Sequence, residues 1–173
     1  MNEYNQTGLT RDVPNSLKVF LENDGLSVIM RAMQTDVQKL KIKACFMLSA
    51  LCTDNPEVKD ILCKIGMVDQ LVGHLNEEHG NYHEHIMSAL LSLIHDHIPA
   101  KNECQRSELN LRELLTNRIK DLQGKDEFRG AEVLLLIWEE REYATEILKV
   151  LSIPHEDQEN VARTQMLLPS HAE

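Results

Sequence analysis

Val37-Gln38-Lys39-Leu40-Lys41-Ile42-Lys43-Ala44-Cys45-Phe46-Met47-Leu48-Ser49-Ala50-Leu51 has a counterpart 42 residues further along the chain. Lys43 falls on His85, Ala44 on Ile86, Met47 on Ala89, Leu48 on Leu90 and Leu51 on Leu93. The segment ahead of each copy aligns too, with Ile29, Met30 and Met33 falling on Leu71, Val72 and Leu75. Gly25 and Gly66 stand just before those segments, one residue out of register. Apolar residues returning every three or four positions mark helices. One such unit cannot bury its own apolar stripe, so copies must stack against each other to make a core.

A helical period near 40 is the mark of armadillo or HEAT stacking. The fold expected is all-α, an armadillo-like α-solenoid in which stacked helices wind a right-handed superhelix. Outward from the repeat, residues 1–14 read as a flexible polar leader. Asn15 or Ser16 caps a short helix carrying Leu17, Val19, Phe20 and Leu21. Gly25 is expected to take the left-handed conformation of a tight turn. Helices follow at Leu26 to about Gln34 and Val37 to Cys52. The second unit opens on Asp54-Asn55-Pro56-Glu57, a cap, a proline at the first helical position and an acid in the first turn. Val58, Ile61, Leu62 and Ile65 are its expected buried stripe; Gly66 turns the chain into Met67–Leu75, and Tyr82–His95 closes the unit. Pro99 is expected to break the pattern at Ile98–Asn102. Ser107 caps a helix reaching Gly124, and another runs from Asp126 to Leu151. The helical domain therefore covers 15–152, and 153–173 is a polar, disordered tail.

Of the 173 residues, 42% are apolar but only 4% aromatic, a balance that suits Leu/Met/Ala-packed helices over strands. The formal net charge of −10 disfavours nucleic acid and anionic membrane as partners. No run reaches the ~18 apolar residues of a membrane span, and residues 1–16 carry no apolar signal core. Cys45, Cys52, Cys63 and Cys104 include no C-x-x-C pair and read as buried free thiols. A reducing cytoplasm is the expected location.

Lys39 and Lys43 are four apart and share a helix face, which Met47 and Ala50 extend. Asn81, His85, Ala89 and Ser92 are the counterparts in the next unit. Together they make a ladder that faces either a partner or solvent. His79, His83, His85, His95 and His97 crowd one region; zinc could use such spacings, but helix geometry sends them in different directions and a metal-binding regulator is disfavoured. The chain has no G-x-S-x-G, no phosphate-cradling glycine loop and no placed Cys–His pair. It is read as a non-enzyme without a cofactor. Leu134-Leu135-Leu136-Ile137-Trp138, flanked by Glu132 and Glu139, reads as core in preference to a partner anchor.

"DGLSVIMRAMQTDVQKLKIKACFMLSAL", "PEVKDILCKIGMVDQLV" and "HEHIMSALLSLI" resemble the cytosolic Hsp70-binding protein family, armadillo-repeat nucleotide exchange factors for heat-shock protein 70. The resemblance covers Leu21–Leu122 and fades after Gln123, where Gly130–Arg141 reads as an insertion. It implies a concave surface that grips lobe II of the chaperone's ATPase domain and so releases ADP. It places Lys43 on the family's basic contact; Lys39, Lys41, Glu84 and His85 join it by helix geometry. It also implies a shortened form lacking the family's N-terminal repeats, with exchange impaired. The alternative is an armadillo scaffold for extended peptides without exchange activity. Such grooves space Asn and Trp along successive third helices, whereas Trp138 is the single tryptophan here.

Overall fold

A computed structural model describes residues 14–53, 55–123 and 131–152, the side chains of 14–15 and 131–133 excepted. Residues 1–13 of the expected leader, the Asp54 part of the cap, the Gly124 helix end, the Asp126 helix start and the 153–173 tail lie outside the described residues. Pro14, the last residue of that leader, instead opens the first helix, so Asn15 and Ser16 fall inside it rather than capping it. So does part of the expected insertion. Among the described residues the secondary structure is helical throughout: α1 (Pro14–Glu22), α2 (Gly25–Met33), α3 (Gln38–Cys52), α4 (Pro56–Lys64), α5 (Met67–Leu75), α6 (His83–Ile94), α7 (Ile98–Cys104), a 3-10 turn at Ser107–Leu109, α8 (Leu111–Gln123) and α9 (Ala131–Val150). The fold is all-α.

The core is organised on α6, which touches α3 on one side and α9 on the other, with α5 and α7 also packed against it. Its Ile86, Met87, Leu90, Leu93 and Ile94 are almost completely buried. Each such side chain contributes about 1.5–3 kcal/mol of burial free energy. Leu48, Leu51, Leu71, Leu75 and Ile147 from the surrounding helices belong to the same cluster. The two copied segments thus form adjacent, mutually buried helices, as their matching stripes require.

Four local expectations need correction. Gly25 is not the left-handed residue: Asp24 takes that role at φ 59°, while Gly25 opens α2 as its first helical residue. Glycine is needed there because a Cβ would collide with the Phe20 ring. Gly66 does sit at φ +80°, where a side chain would strain the backbone. In α4, Val58 and Leu62 are buried but Ile61 and Ile65 are exposed; Lys59 takes the third inward position, its Nζ donating to the His95 carbonyl at 2.6 Å. Pro99 does not break the chain but lies in the first turn of α7, where a missing N–H costs nothing. The imidazole of His97 caps that turn by accepting the Ala100 N–H at 3.2 Å. Ser107 starts only the 3-10 turn; Asn110, at φ 44°, precedes α8.

Short polar ties join several of the helices to neighbouring units. Gln70 Nε2 donates to the Met30 carbonyl at 3.0 Å, and Gln105 Nε2 to the Leu151 carbonyl at 2.9 Å. His97 Nε2 reaches Asp60 Oδ1 at 3.0 Å, and Arg106 pairs with Asp69. The four thiols are unpaired. Burial raises Cys45, Cys52 and Cys104 to about 12 and Cys63 to about 11, so they pack as small apolar groups rather than react. No described helix is long and apolar enough to cross a membrane.

Candidate functional site

α3 carries little hydrophobic asymmetry in sequence because it has work on both sides. Its inward face holds Ala44, Cys45, Leu48 and Cys52. Its outward face holds Lys39, Lys43 and Phe46, spaced i, i+4 and i+7, with half-buried Ala50 continuing the line. Neither lysine forms an ion pair with a described residue, and Phe46 is 51% exposed. Beside them on α6, the half-buried His85 ring lies 4.9 Å from the Phe46 ring, tilted by 49°. Burial lowers the His85 pKa, while Glu139 on α9 pulls it back up. The open face therefore runs from α3 across His85 towards α9.

Five residues were expected on this surface, and three share it: Lys39, Lys43 and His85. Lys41 is turned about 200° from each of its lysine neighbours, as two residues on a helix must be. Its side chain is 9% exposed, and Nζ donates to Glu77 Oε2 at 3.1 Å and sits 4.7 Å above the Tyr82 ring. Glu77 Oε1 lies 2.8 Å from His74 Nδ1, and the Tyr82 hydroxyl donates to Oε2 at 2.8 Å. Partial burial acts to raise the Glu77 pKa, but the hydrogen bonds from Tyr82, Lys41 and His74 outweigh it and hold the carboxylate at about 2. Lys41 is thus a tie between α3 and the segment that follows α5. Glu84 is also buried; desolvation first, then Glu139 and Glu140, push it up to about 7. Neither Lys41 nor Glu84 presents its charge to solvent.

The expected ladder is likewise interrupted. Asn81 is exposed and Met47 and Ser92 are half-buried, but Ala89 is sealed in the core. Phe46, absent from the expected ladder, bridges the gap between α3 and α6. Its signal was available: it stands seven residues after Lys39 and three after Lys43, on their stripe.

Of the crowded histidines, His79, His83 and His97 bond to other protein groups, while His85 lies on the open face. The Gly80 N–H donates to His83 Nδ1 at 2.9 Å, so Nε2 carries the proton and donates to the His74 carbonyl at 2.9 Å. Burial depresses the His83 pKa, consistent with that neutral tautomer. His79 Nε2 is 2.8 Å from Glu140 Oε2. Among the described residues no group of three His, Cys, Asp or Glu side chains is placed to hold a metal ion.

The Leu134–Trp138 run corrects the core reading. Ile137 is buried, but Leu135, Leu136 and Trp138 are exposed, Trp138 by 50%. Five consecutive apolar residues advance 100° each and cannot all face one neighbour; Ile137, Glu140, Ala144 and Ile147 make the inward line.

No protein-family model matches the chain. It is 42% identical over 150 residues to Hsp70-binding protein 1 of Mus musculus, across 86% of this chain and 40% of the relative. Hsp70-binding protein 1 of Homo sapiens gives the same identity over 39% of its length. The macaque protein of that name is 41% identical. A match of this extent runs past Gln123, so the likeness continues beyond the quoted motifs into the C-terminal helices. The chain spans about two-fifths of the length of these relatives. Over the matched span this chain is similar to the Hsp70-binding proteins.

Proposed function

We propose that this chain binds the ATPase domain of heat-shock protein 70, on its lobe II, and promotes ADP release as a non-enzymatic, cytoplasmic co-chaperone. The observation that carries this reading is the basic stripe of α3, Lys39 and Lys43, exposed and without ion pairs among the described residues, in a chain 42% identical over 150 residues to a protein named for binding Hsp70. An armadillo-like solenoid is the architecture proposed with it. Three triplets support it: α1–α2–α3, α4–α5–α6 and α7–α8–α9, with α3, α6 and α9 packed in sequence and α4 against α7. Lys59 and Lys101, both buried, recur at the same 42-residue period. The last helices of the triplets then line one wall, and a wall binds a surface rather than a small molecule.

Exchange requires differential affinity. The factor must hold the nucleotide-free lobe arrangement more tightly than the ADP-bound one, and ADP then weakens the factor by the same ratio. Lys43 is the residue proposed to meet the chaperone first, with Lys39 and His85 beside it; Lys41 and Glu84 support the wall from within. Stopped-flow release of labelled ADP from heat-shock protein 70 tests the reading. Acceleration that saturates with added chain is expected. Binding without acceleration leaves only a scaffold, and no binding rejects the role. Lys43→Glu is expected to abolish binding with helicity unchanged, since an exposed surface substitution costs little folding energy.

A further inference from the structure

Phe46 on α3 is a large aromatic standing half exposed, as Trp138 does on α9, and it borders α6 on the outward side. Exposed apolar surface rimmed by polar groups marks interaction sites where it is contiguous. The Phe46 ring rests on the His85 imidazole at 4.9 Å. That contact fixes where the ring stands without covering it, so little side-chain freedom remains to be lost on binding. Lys39 and Lys43 precede it on the same stripe, both exposed and without ion pairs among the described residues. Half-buried Ala50 and Met47 extend the apolar part beyond it. The arrangement is an aromatic anchor with a basic rim on one side, the distribution that concentrates binding energy at the centre of an interface.

We infer that Phe46 is the principal anchor of the interface: it enters an apolar recess on the partner's ATPase domain whose rim carries carboxylates opposite Lys39 and Lys43. This rests on the proposed chaperone reading and adds to it the shape and charge of the complementary patch. The name of the relatives, Hsp70-binding protein 1, favours that occupant over a second copy of this chain, whose net charge of −10 opposes self-association.

The two contributions differ in salt response, because an apolar contact is insensitive to ionic strength while exposed charge pairs are screened. Binding of the full chain to the isolated ATPase domain of heat-shock protein 70 is measured by calorimetry at low and moderate salt. Phe46→Ala is expected to weaken affinity at least tenfold with the salt dependence of the unaltered chain retained, and Phe46→Leu to recover part of the loss. Lys43→Ala is expected to weaken it less and to flatten the salt dependence. Thermal melts of each variant report folding; Phe46→Leu keeps a large apolar group, so its binding still decides the matter if Phe46→Ala melts early. Phe46→Ala binding within twofold of the unaltered chain overturns the anchor while leaving chaperone binding intact. An unaltered chain that does not bind overturns both. Sedimentation showing a dimer that Phe46→Ala dissolves assigns the ring to self-association and overturns the inference too.

Discussion

Lys41 and Lys43 are two positions apart on α3 and are placed oppositely, one tying α3 to the segment after α5 beneath the surface and the other exposed, without an ion pair among the described residues. Replacing Lys41 by Ala removes a charge-assisted hydrogen bond to Glu77 and the contact over Tyr82. Such bonds contribute about 1.5–3 kcal/mol, and urea unfolding is expected to show a loss of that order. Lys43→Ala should stay within about 0.5 kcal/mol. A lysine triplet read for a shared face showed where Lys39 and Lys43 lie, because spacing of four is geometry. It did not show that Lys41 is buried, since its carboxylate partner comes from a segment 36 residues away. Two carboxyls give opposite pH responses. Glu77, held at about 2, adds stability above the usual carboxylate value of 4.5 that is lost as pH falls toward 2. Glu84, raised to about 7, adds stability below 4.5 that is lost as pH rises through 7. Glu84→Gln is therefore expected to flatten the decline in melting temperature between those two values, while leaving the acid limb in place. A slope equal to the parent's contradicts the burial of Glu84 beside Glu139 and Glu140.

Among the elements, α3 and α6 were legible because the same apolar spacing is written twice, and repetition distinguishes a buried stripe from coincidence. α7 was not, although Pro99 stands in its first turn as Pro56 does in that of α4. The cap at α7 is an imidazole rather than one of the usual small polar groups, and without a cap in view the proline looked like an ending. α9 was placed correctly as a helix and misread in its facing. Unbroken apolarity carries no phase, so Leu134–Trp138 could not show which member turns inward. The structure resolves it with Ile137. Ile137→Ala is expected to cost about 2–4 kcal/mol through the cavity left behind, whereas Trp138→Ser should change stability by no more than about 0.5 kcal/mol. Thermal or urea unfolding of the pair checks the assignment, and reversed magnitudes would place the other side of α9 against α6 and α8.

At the scale of the molecule, α6 mediates between the α3 and α9 sides of one core, and polar ties such as Gln70 to Met30 and Arg118 to the Leu75 carbonyl stitch successive units. The proposed wall suits a partner that must be held in one arrangement, because preorganised contacts do not relax when the partner's lobes move. The central claim is that the outward faces of α3 and α6 meet the chaperone. Amide shift mapping tests it most directly: isotope-labelled chain is titrated with the unlabelled ATPase domain of heat-shock protein 70. The account predicts perturbations concentrated at Lys39–Ala50 and around His85–Ser92, with α4 and α7 unmoved. Perturbations centred on Ile61, Ile65 and Ile98, or none at saturating partner, would contradict it.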